Sequence, residues 1–298
     1  MHDFDYEAPV DLDTALRFFA ERNGSARVLA GGTDLIDQIR LGRYAPDLLV
    51  DIKKLPELNV LECQEGGLRL GAAVPCSEIY RNETVVSGYE ALVDSCRIIG
   101  GIQVQNRASV GGNLCNSGPA ADSPPSLIVL GARCVIASAQ GQREVPAEEF
   151  CTGPGENVLQ QDEVLIEIRF SSRPPRSGSH YRRFTPRNEM DIAVVGVGAS
   201  VTLDETGERF VDARIALGAV APTPLFAREA SESLTGQPVN DETIARAAEL
   251  AQQAARPIDD MRGTKEFRIH VTGVLTRRVL AAAIGRARGE EEGTRIGH

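Results

Sequence analysis

Leu29-Ala30-Gly31-Gly32-Thr33-Asp34-Leu35 is the first of two glycine-containing stretches that decide how this 298-residue chain folds. The apolar residues before it predict a short strand over residues 27–30, and those after it predict a helix capped by Thr33 or Asp34. Consecutive glycines allow positive φ and let backbone N–H groups approach a ligand closely. Because a helix N-terminus attracts anions, the stretch suits a phosphate, although a glycine pair before a helix is also compatible with an ordinary turn.

The second stretch is Arg107-Ala108-Ser109-Val110-Gly111-Gly112-Asn113-Leu114-Cys115-Asn116. It lies within residues 100–125, a long connection rich in Gly, Asn and Pro, and such connections inside a compact domain usually carry function. Ser and Asn side chains flank the glycine pair, an arrangement typical of an anion-binding nest with glycine at positive φ. A single stretch of this kind would be ambiguous, because the same residues are also compatible with an ordinary turn.

The familiar nucleotide and hydrolase motifs do not occur in the sequence. It has no Gly-Lys pair, which excludes a P-loop. Gly196-Val197-Gly198 has Val201 where a Rossmann motif has its third glycine, and it continues into a strand-like segment instead of a helix. The sequence also lacks the Gly-x-Ser-x-Gly motif that places a hydrolase nucleophile.

Charge and composition exclude several classes of partner. The net charge is −10, and only three of the 32 basic residues are lysines, namely Lys53, Lys54 and Lys265. An acidic protein repels nucleic acid and anionic membranes, so we expect neither as a partner; the Arg-rich segments 182–187 and 277–278 are local exceptions. We find no apolar run long enough for a membrane span and no signal-peptide pattern, and we expect a cytoplasmic protein.

The cysteines and histidines do not follow a metal-binding pattern. The six cysteines contain no Cys-x-x-Cys pair, whereas iron–sulfur and structural zinc sites usually have closely spaced pairs. We expect most of them to be small buried hydrophobic residues without disulfides. We therefore predict no metal site in this chain.

The order of the predicted elements divides the chain in two. In the first part, helices over residues 12–22, 89–99 and 126–130 alternate with strands over 48–52, 58–62, 68–74, 133–137 and 163–170, which predicts a mixed α/β sheet. Residues 171–178 have the composition of a linker. In the second part, a hairpin over 192–203 and 210–219 precedes helices over 226–234, 241–255 and 264–286, an α+β order.

Several motifs, considered together, resemble one family. Residues 30–35 and 109–113 resemble the two flavin loops of the medium subunits of bacterial xanthine, carbon monoxide and nicotinate dehydrogenases, which belong to the molybdenum hydroxylase family. The match continues in register through Gly118-Pro119-Ala120-Ala121-Asp122-Ser123-Pro124-Pro125 and through Tyr181-Arg182-Arg183 followed by Asp191-Ile192-Ala193. The resemblance spans residues 1–287.

The resemblance implies an α+β fold with two domains. The first, residues 1–172, would be an FAD-binding domain of the vanillyl-alcohol-oxidase (PCMH) type. The second, residues 178–287, would be a smaller α+β C-terminal flavoprotein domain like that of carbon monoxide dehydrogenase, followed by a polar tail over residues 288–298.

The resemblance also assigns roles to individual residues. It implies that the FAD pyrophosphate and ribityl chain are held by Leu29, Ala30, Gly31, Gly32, Thr33, Asp34, Ser109, Gly111, Gly112 and Asn113. Asp122 would bind the adenosine part, although as a residue it could equally cap the helix that follows. Leu165 and Ile192 would lie near the flavin ring, whereas their residue types alone suggest core packing. Arg183 stands where many relatives have Lys, which leaves its flavin contact open.

The implied function is electron transfer within a larger enzyme. FAD, bound non-covalently, would receive electrons from [2Fe–2S] clusters on a small subunit, which in turn receive them from a molybdopterin centre on a large subunit. The assembly would be a dimer of heterotrimers, and this chain would supply no catalytic acid, base or nucleophile. Two alternatives remain: a self-sufficient flavin oxidase, with Cys115 near enough for covalent attachment, and a binding module without cofactor. The sequence does not identify the hydroxylated substrate or the final electron acceptor.

Overall fold

The computed structural model describes residues 3–22, 24–188 and 190–290. The chain begins with a small parallel sheet whose strands are β1 (Asp5–Glu7), β2 (Ala26–Leu29) and β3 (Leu48–Asp51), in the order β1-β3-β2. Helix α1 (Leu12–Arg22) begins as predicted, because Asp11 Oδ1 accepts the Thr14 N–H at 2.8 Å. Helix α2 (Leu35–Arg40) follows β2.

A separate antiparallel sheet forms the centre of the first part. Its strands are β4 (Leu61–Gln64), β5 (Gly67–Gly71), β6 (Arg133–Ser138), β7 (Gly141–Pro146) and β10 (Val164–Ser171), in the order β4-β5-β10-β6-β7. The prediction of one mixed sheet is therefore wrong. After β3 the chain turns through a 3-10 helix, Pro56–Leu58, so the strand predicted from residue 58 begins only at Leu61.

Short helices fill the connections around this sheet. They are α3 (Cys76–Ile79), α4 (Glu83–Gly88), α5 (Glu90–Ile98), α6 (Ile102–Gln105), α7 (Val110–Cys115), α8 (Ser123–Val129) and α9 (Ala147–Phe150), and a two-stranded ribbon joins β8 (Cys151–Gly153) to β9 (Glu156–Asn157). Helix α5 matches its prediction closely. The connection over residues 100–125, although rich in Gly, Asn and Pro, contains α6, α7 and the start of α8.

The second part is a four-stranded antiparallel sheet covered by helices. The sheet consists of β11 (Ser177–Phe184), β12 (Val195–Leu203), β13 (Phe210–Gly218) and β14 (Leu225–Phe226), in that order, and the helices are α10 (Arg228–Glu232), α11 (Asp241–Ala254) and α12 (Lys265–Arg288). The predicted hairpin is confirmed, although β12 begins three residues later than residue 192. Helix α12 continues past residue 286 and ends before Gly289, whose φ is +70°. Most of the predicted polar tail, residues 291–298, lies outside the described residues.

Two hydrophobic cores hold the chain together. The first joins α1, α5 and α8 to the antiparallel sheet, and the second lies between the β11–β14 sheet and helices α11 and α12. Ala248, Val271 and Leu275 are buried, as expected if the apolar positions of these helices face the chain's own core. Among the described residues, we find no helix with the length and apolar character of a membrane span.

Candidate functional site

The first glycine stretch follows β2 directly. Gly32 has φ +77°, as predicted for this turn. Gly31 is required for another reason: a Cβ there would lie 2.0 Å from the carbonyl oxygen of Arg107, so only glycine fits. Asp34 is the N-cap residue of α2, but its side chain makes no capping hydrogen bond, and this part of the prediction is wrong.

The second glycine stretch is the first turn of α7 and not an open nest. Ser109 is its N-cap, and Ser109 Oγ accepts the Gly112 N–H at 3.0 Å. Gly111 and Gly112 therefore have helical backbone, and the expectation of positive φ at Gly112 is wrong. A Cβ on Gly111 would lie 2.5 Å from the carbonyl oxygen of Ala72, so this glycine serves close packing.

Gly112 differs from Gly31 and Gly111 because no backbone from another segment packs against its Cα. A Cβ on Gly112 would meet only Ser109 Oγ, at 3.1 Å. The first turn of a helix also carries N–H groups that no earlier carbonyl of that helix can accept. The Gly112 N–H is used by the Ser109 cap, but a bound group can approach the backbone at Gly112, as a phosphate- or ribityl-binding loop requires.

Backbone contacts bring the two stretches together. The Cα of Gly31 faces the Arg107–Ala108 peptide, immediately before the second stretch. The carbonyl of Ala108 in turn accepts the Cys76 N–H at 2.9 Å. Gln38 Nε2 on α2 donates to Asn116 Oδ1 at the end of α7, at 2.8 Å. The two stretches therefore lie against each other.

Asn113 connects this site to the start of α8. Its Oδ1 accepts the Ser123 hydroxyl at 2.6 Å and the Ser123 N–H at 3.2 Å. These bonds fix the neighbouring Asp122, which is only 7% exposed. Asp122 occupies the N-cap position of α8 without a side-chain capping bond, so the alternative role as a helix cap is wrong.

The carboxylate of Asp122 instead binds two side chains of β11. Tyr181 donates its hydroxyl to Oδ1 at 2.9 Å, and Arg183 Nη1 lies 2.5 Å from Oδ2. Burial raises the pKa of Asp122 to about 6, although the charge of Arg183 and the bonds from both partners act in the opposite direction. Tyr181 was missed as a site residue; its i, i+2 spacing from Arg183 on one strand face is the signal that could have shown it.

Leu165 and Ile192 differ in their surroundings. Leu165 is buried in β10, opposite Ile136, and belongs to the first core. The next residue, Ile166, accepts the Ala72 N–H at 3.0 Å, which connects this strand to the packing of Gly111 against Ala72. Ile192 lies before β12 and is 50% exposed, so it is not a core residue.

The cysteines are unpaired, and half of them are buried. All six cysteines are free, and Cys76, Cys96 and Cys134 are buried. Within residues 3–290, apart from the two undescribed positions, no group of three or more His, Cys, Asp and Glu side chains could hold a metal ion.

Comparison with known proteins gives the family. The family described as the FAD binding domain in molybdopterin dehydrogenase matches residues 2–171, and the carbon monoxide dehydrogenase flavoprotein C-terminal domain matches residues 179–283. The chain is 33% identical over 293 residues to the xanthine dehydrogenase FAD-binding subunit of Escherichia coli O157:H7, covering 97% of this chain and 99% of that protein.

Solved structures agree with these matches. A chain of the carbon monoxide dehydrogenase of Hydrogenophaga pseudoflava has a TM-score of 0.91 at 29% identity, covering 95% of this chain and 98% of that one. A chain of quinoline 2-oxidoreductase from Pseudomonas putida 86 has a TM-score of 0.87 at 30% identity, covering 97% and 98%. The chain therefore belongs to the family of FAD-binding subunits of the molybdenum hydroxylases and is an oxidoreductase component.

Proposed function

We propose that this chain passes electrons from [2Fe–2S] clusters on a partner subunit, through non-covalently bound FAD, to an external acceptor. The observation that carries the proposal is the contact between the two glycine stretches, where Gly31 packs against the Arg107–Ala108 peptide, Gly111 packs against Ala72 and Gly112 leaves a face open. A ligand can approach the backbone at Gly112, and packed backbone lies on either side of this point. Such a surface suits the elongated chain of a dinucleotide.

The proposed FAD ligands are those that the family resemblance implies. Residues 29–34 together with Ser109, Gly111, Gly112 and Asn113 would hold the pyrophosphate and ribityl chain. Asp122 and Arg183 would act as a pair, because their side chains already bind each other. Leu165 would contribute a buried apolar surface near the flavin ring, and Ile192 an exposed one.

The residues of this chain bind and orient the cofactor, whereas the redox chemistry belongs to the cofactor itself. FAD accepts electrons one at a time and releases them as a pair. Covalent attachment through Cys115 is disfavoured, since burial raises the pKa of this thiol to about 12 and lowers its thiolate fraction far below that of an ordinary cysteine. We accordingly propose no catalytic acid, base or nucleophile.

The partners are proposed from the family. One relative, 29% identical over 283 residues, is named the medium chain of the carbon monoxide dehydrogenase of Hydrogenophaga pseudoflava. By analogy, this chain would assemble with a small [2Fe–2S] subunit and a large molybdopterin subunit, as a dimer of heterotrimers. We further propose residues 1–172 as the FAD domain and 178–287 as the C-terminal flavoprotein domain.

The cofactor and its site can be tested in one experiment. Acid precipitation of the purified chain should release one FAD into the supernatant. Gly112→Val should lower flavin occupancy sharply, because the branched side chain fills the open face of the site, while circular dichroism stays near wild type. Gly66→Val is the control, since a Cβ there meets nothing within 4 Å and Gly66 lies outside both glycine stretches. Full occupancy in the Gly112 variant would show that the second stretch does not contact FAD.

The electron route needs a separate test. Dithionite should bleach the flavin of the isolated chain, whereas the organic substrate should reduce it only when the small and large subunits are both present. A monomer that oxidises an organic substrate without another chain would contradict the proposal. That result would favour the self-sufficient flavin oxidase.

A further inference from the structure

One lysine side chain ends at the first glycine stretch, although it is distant in sequence. Strands β2 and β3 are parallel neighbours, with Leu29 opposite Asp51, so their carboxyl ends open at the same edge. Ligands of open parallel sheets bind at this kind of edge. Lys53 follows β3, and its Nζ lies 3.1 Å from the carbonyl oxygen of Ala30.

The position of Lys53 is fixed by a buried carboxylate. Lys53 Nζ lies 2.7 Å from Asp51 Oδ2, and the side chain of Asp51 is only 9% exposed. Asp51 also accepts the Tyr6 hydroxyl at 2.6 Å and the Lys53 N–H at 2.9 Å. Burial by itself would raise the pKa of Asp51, but the bonds from Lys53 and Tyr6 lower it below the usual value. The ammonium group is therefore held in place and does not move freely in solvent.

We infer that the ammonium group of Lys53 binds a phosphate oxygen of FAD. An ammonium group has three N–H donors, and the Ala30 carbonyl and Asp51 use two of them. Its side chain is 33% exposed, so the third donor can reach a ligand. The inference rests on the proposed FAD site.

Two carboxylates lie at or beside the first stretch. Asp34 and Asp37 belong to the stretch and to α2, and burial together with the charge of Asp37 raises the pKa of Asp34. A diphosphate placed beside these carboxylates would be repelled. Lys53 is the basic side chain that reaches this stretch, at the Ala30 carbonyl oxygen, whereas Arg40 of α2 is exposed and pairs with Asp37 at 3.5 Å.

The test compares Lys53→Met with Lys54→Met in the full chain. Lys54 is an exposed neighbour and serves as the matched control. FAD affinity is measured by quenching of flavin fluorescence on titration of the flavin-free protein, at low and high salt. Lys53→Met should raise the Kd for FAD about 10- to 100-fold, the range expected for one hydrogen bond to a charged group. It should also weaken the salt dependence of the Kd, whereas Lys54→Met should leave both near wild type.

A second variant separates charge from folding. Lys53→Arg keeps the positive charge and should bind FAD within a few-fold of wild type. The inference is overturned if Lys53→Met binds FAD like Lys54→Met. A second result would also overturn it: Lys53→Met loses the same affinity at both salt concentrations, and the Tm of the flavin-free protein is lower. Lys53 would then only stabilise the local fold through the Ala30 carbonyl. If the wild-type chain itself binds no FAD, the proposed function fails, which is a distinct result.

Discussion

At the scale of single residues, the glycines of the two stretches serve different purposes. Gly31 and Gly111 allow backbone segments to touch, Gly32 supplies a positive φ, and Gly112 leaves a face open. Asp122 is the charged residue that joins this motif to β11 through Tyr181 and Arg183. Its raised pKa means that ionisation of this carboxyl costs free energy in the folded chain.

This cost predicts a specific pH dependence. The pKa of Asp122 is raised from 3.8 to about 6, so between these values the folded chain holds a proton that the unfolded chain has lost. The contribution of Asp122 to stability is therefore largest below pH 3.8 and falls as the pH rises towards 6, by about 3 kcal/mol in total. Urea unfolding of the flavin-free wild type and of Asp122→Asn should show a difference in free energy that changes across this window. A constant difference would show that the carboxyl titrates normally.

At the scale of secondary structure, regular periodicity made the fold predictable. Helices α1, α5, α11 and α12 and the β12–β13 hairpin lie close to their predicted positions, because their apolar residues recur at helical or alternating spacing. Strand β11 was missed because its sequence, Ser-Gly-Ser-His-Tyr-Arg-Arg-Phe, is polar and follows a linker. Its Tyr181 is buried against the first part of the chain, a tertiary contact that no local pattern shows.

The site was less predictable than the fold for a related reason. The glycine motifs could be recognised in the sequence, but helix α7 could not, because two adjacent glycines lower helix propensity. The helix forms nevertheless, because the Ser109 cap and the packing against Ala72 outweigh the low propensity. Lys53 lies near the first stretch only because β3 pairs in parallel with β2. Sequence spacing gives no information about that pairing, so the residue could not be assigned before the topology was known.

At the scale of the whole molecule, a buried charge cluster fastens the two parts of the chain to each other. Asp94 Oδ2 on α5 accepts hydrogen bonds from Arg286 Nη1 of α12 at 2.7 Å and from the Tyr181 N–H at 3.1 Å. Its Oδ2 also lies 2.7 Å from His180 Nδ1. Because Tyr181 also binds Asp122, the same junction aligns β11 with the proposed flavin site. Loosening of this junction should therefore affect both stability and FAD binding.

Asp94→Ala tests the junction directly. The side chains of Asp94 and Arg286 are each 16% exposed. Because removal of one member of a buried ion pair costs about 3 kcal/mol or more, the variant should unfold at a lower urea concentration and bind FAD more weakly. Burial alone would raise the pKa of Asp94, but His180 and Arg286 lower it below 3.8. The stabilisation is thus complete above pH 3.8 and is lost as the pH falls through the lower folded value, where wild type and variant should converge.

Glu249→Ala is the matched control for this junction. Glu249 pairs with Arg246 at 3.6 Å on one exposed helix face, and such pairs contribute about 0.5 kcal/mol or less. Protease cleavage within residues 172–176 gives an independent measure, since this connection is largely exposed and release of β11 and α12 from α5 should let it enter a protease more readily in Asp94→Ala alone. If both variants unfold at the same urea concentration and resist cleavage equally, the hydrophobic contacts between α5, α8 and the second sheet hold the junction by themselves. The Asp94 cluster would then have no measurable part in aligning β11 with the flavin site.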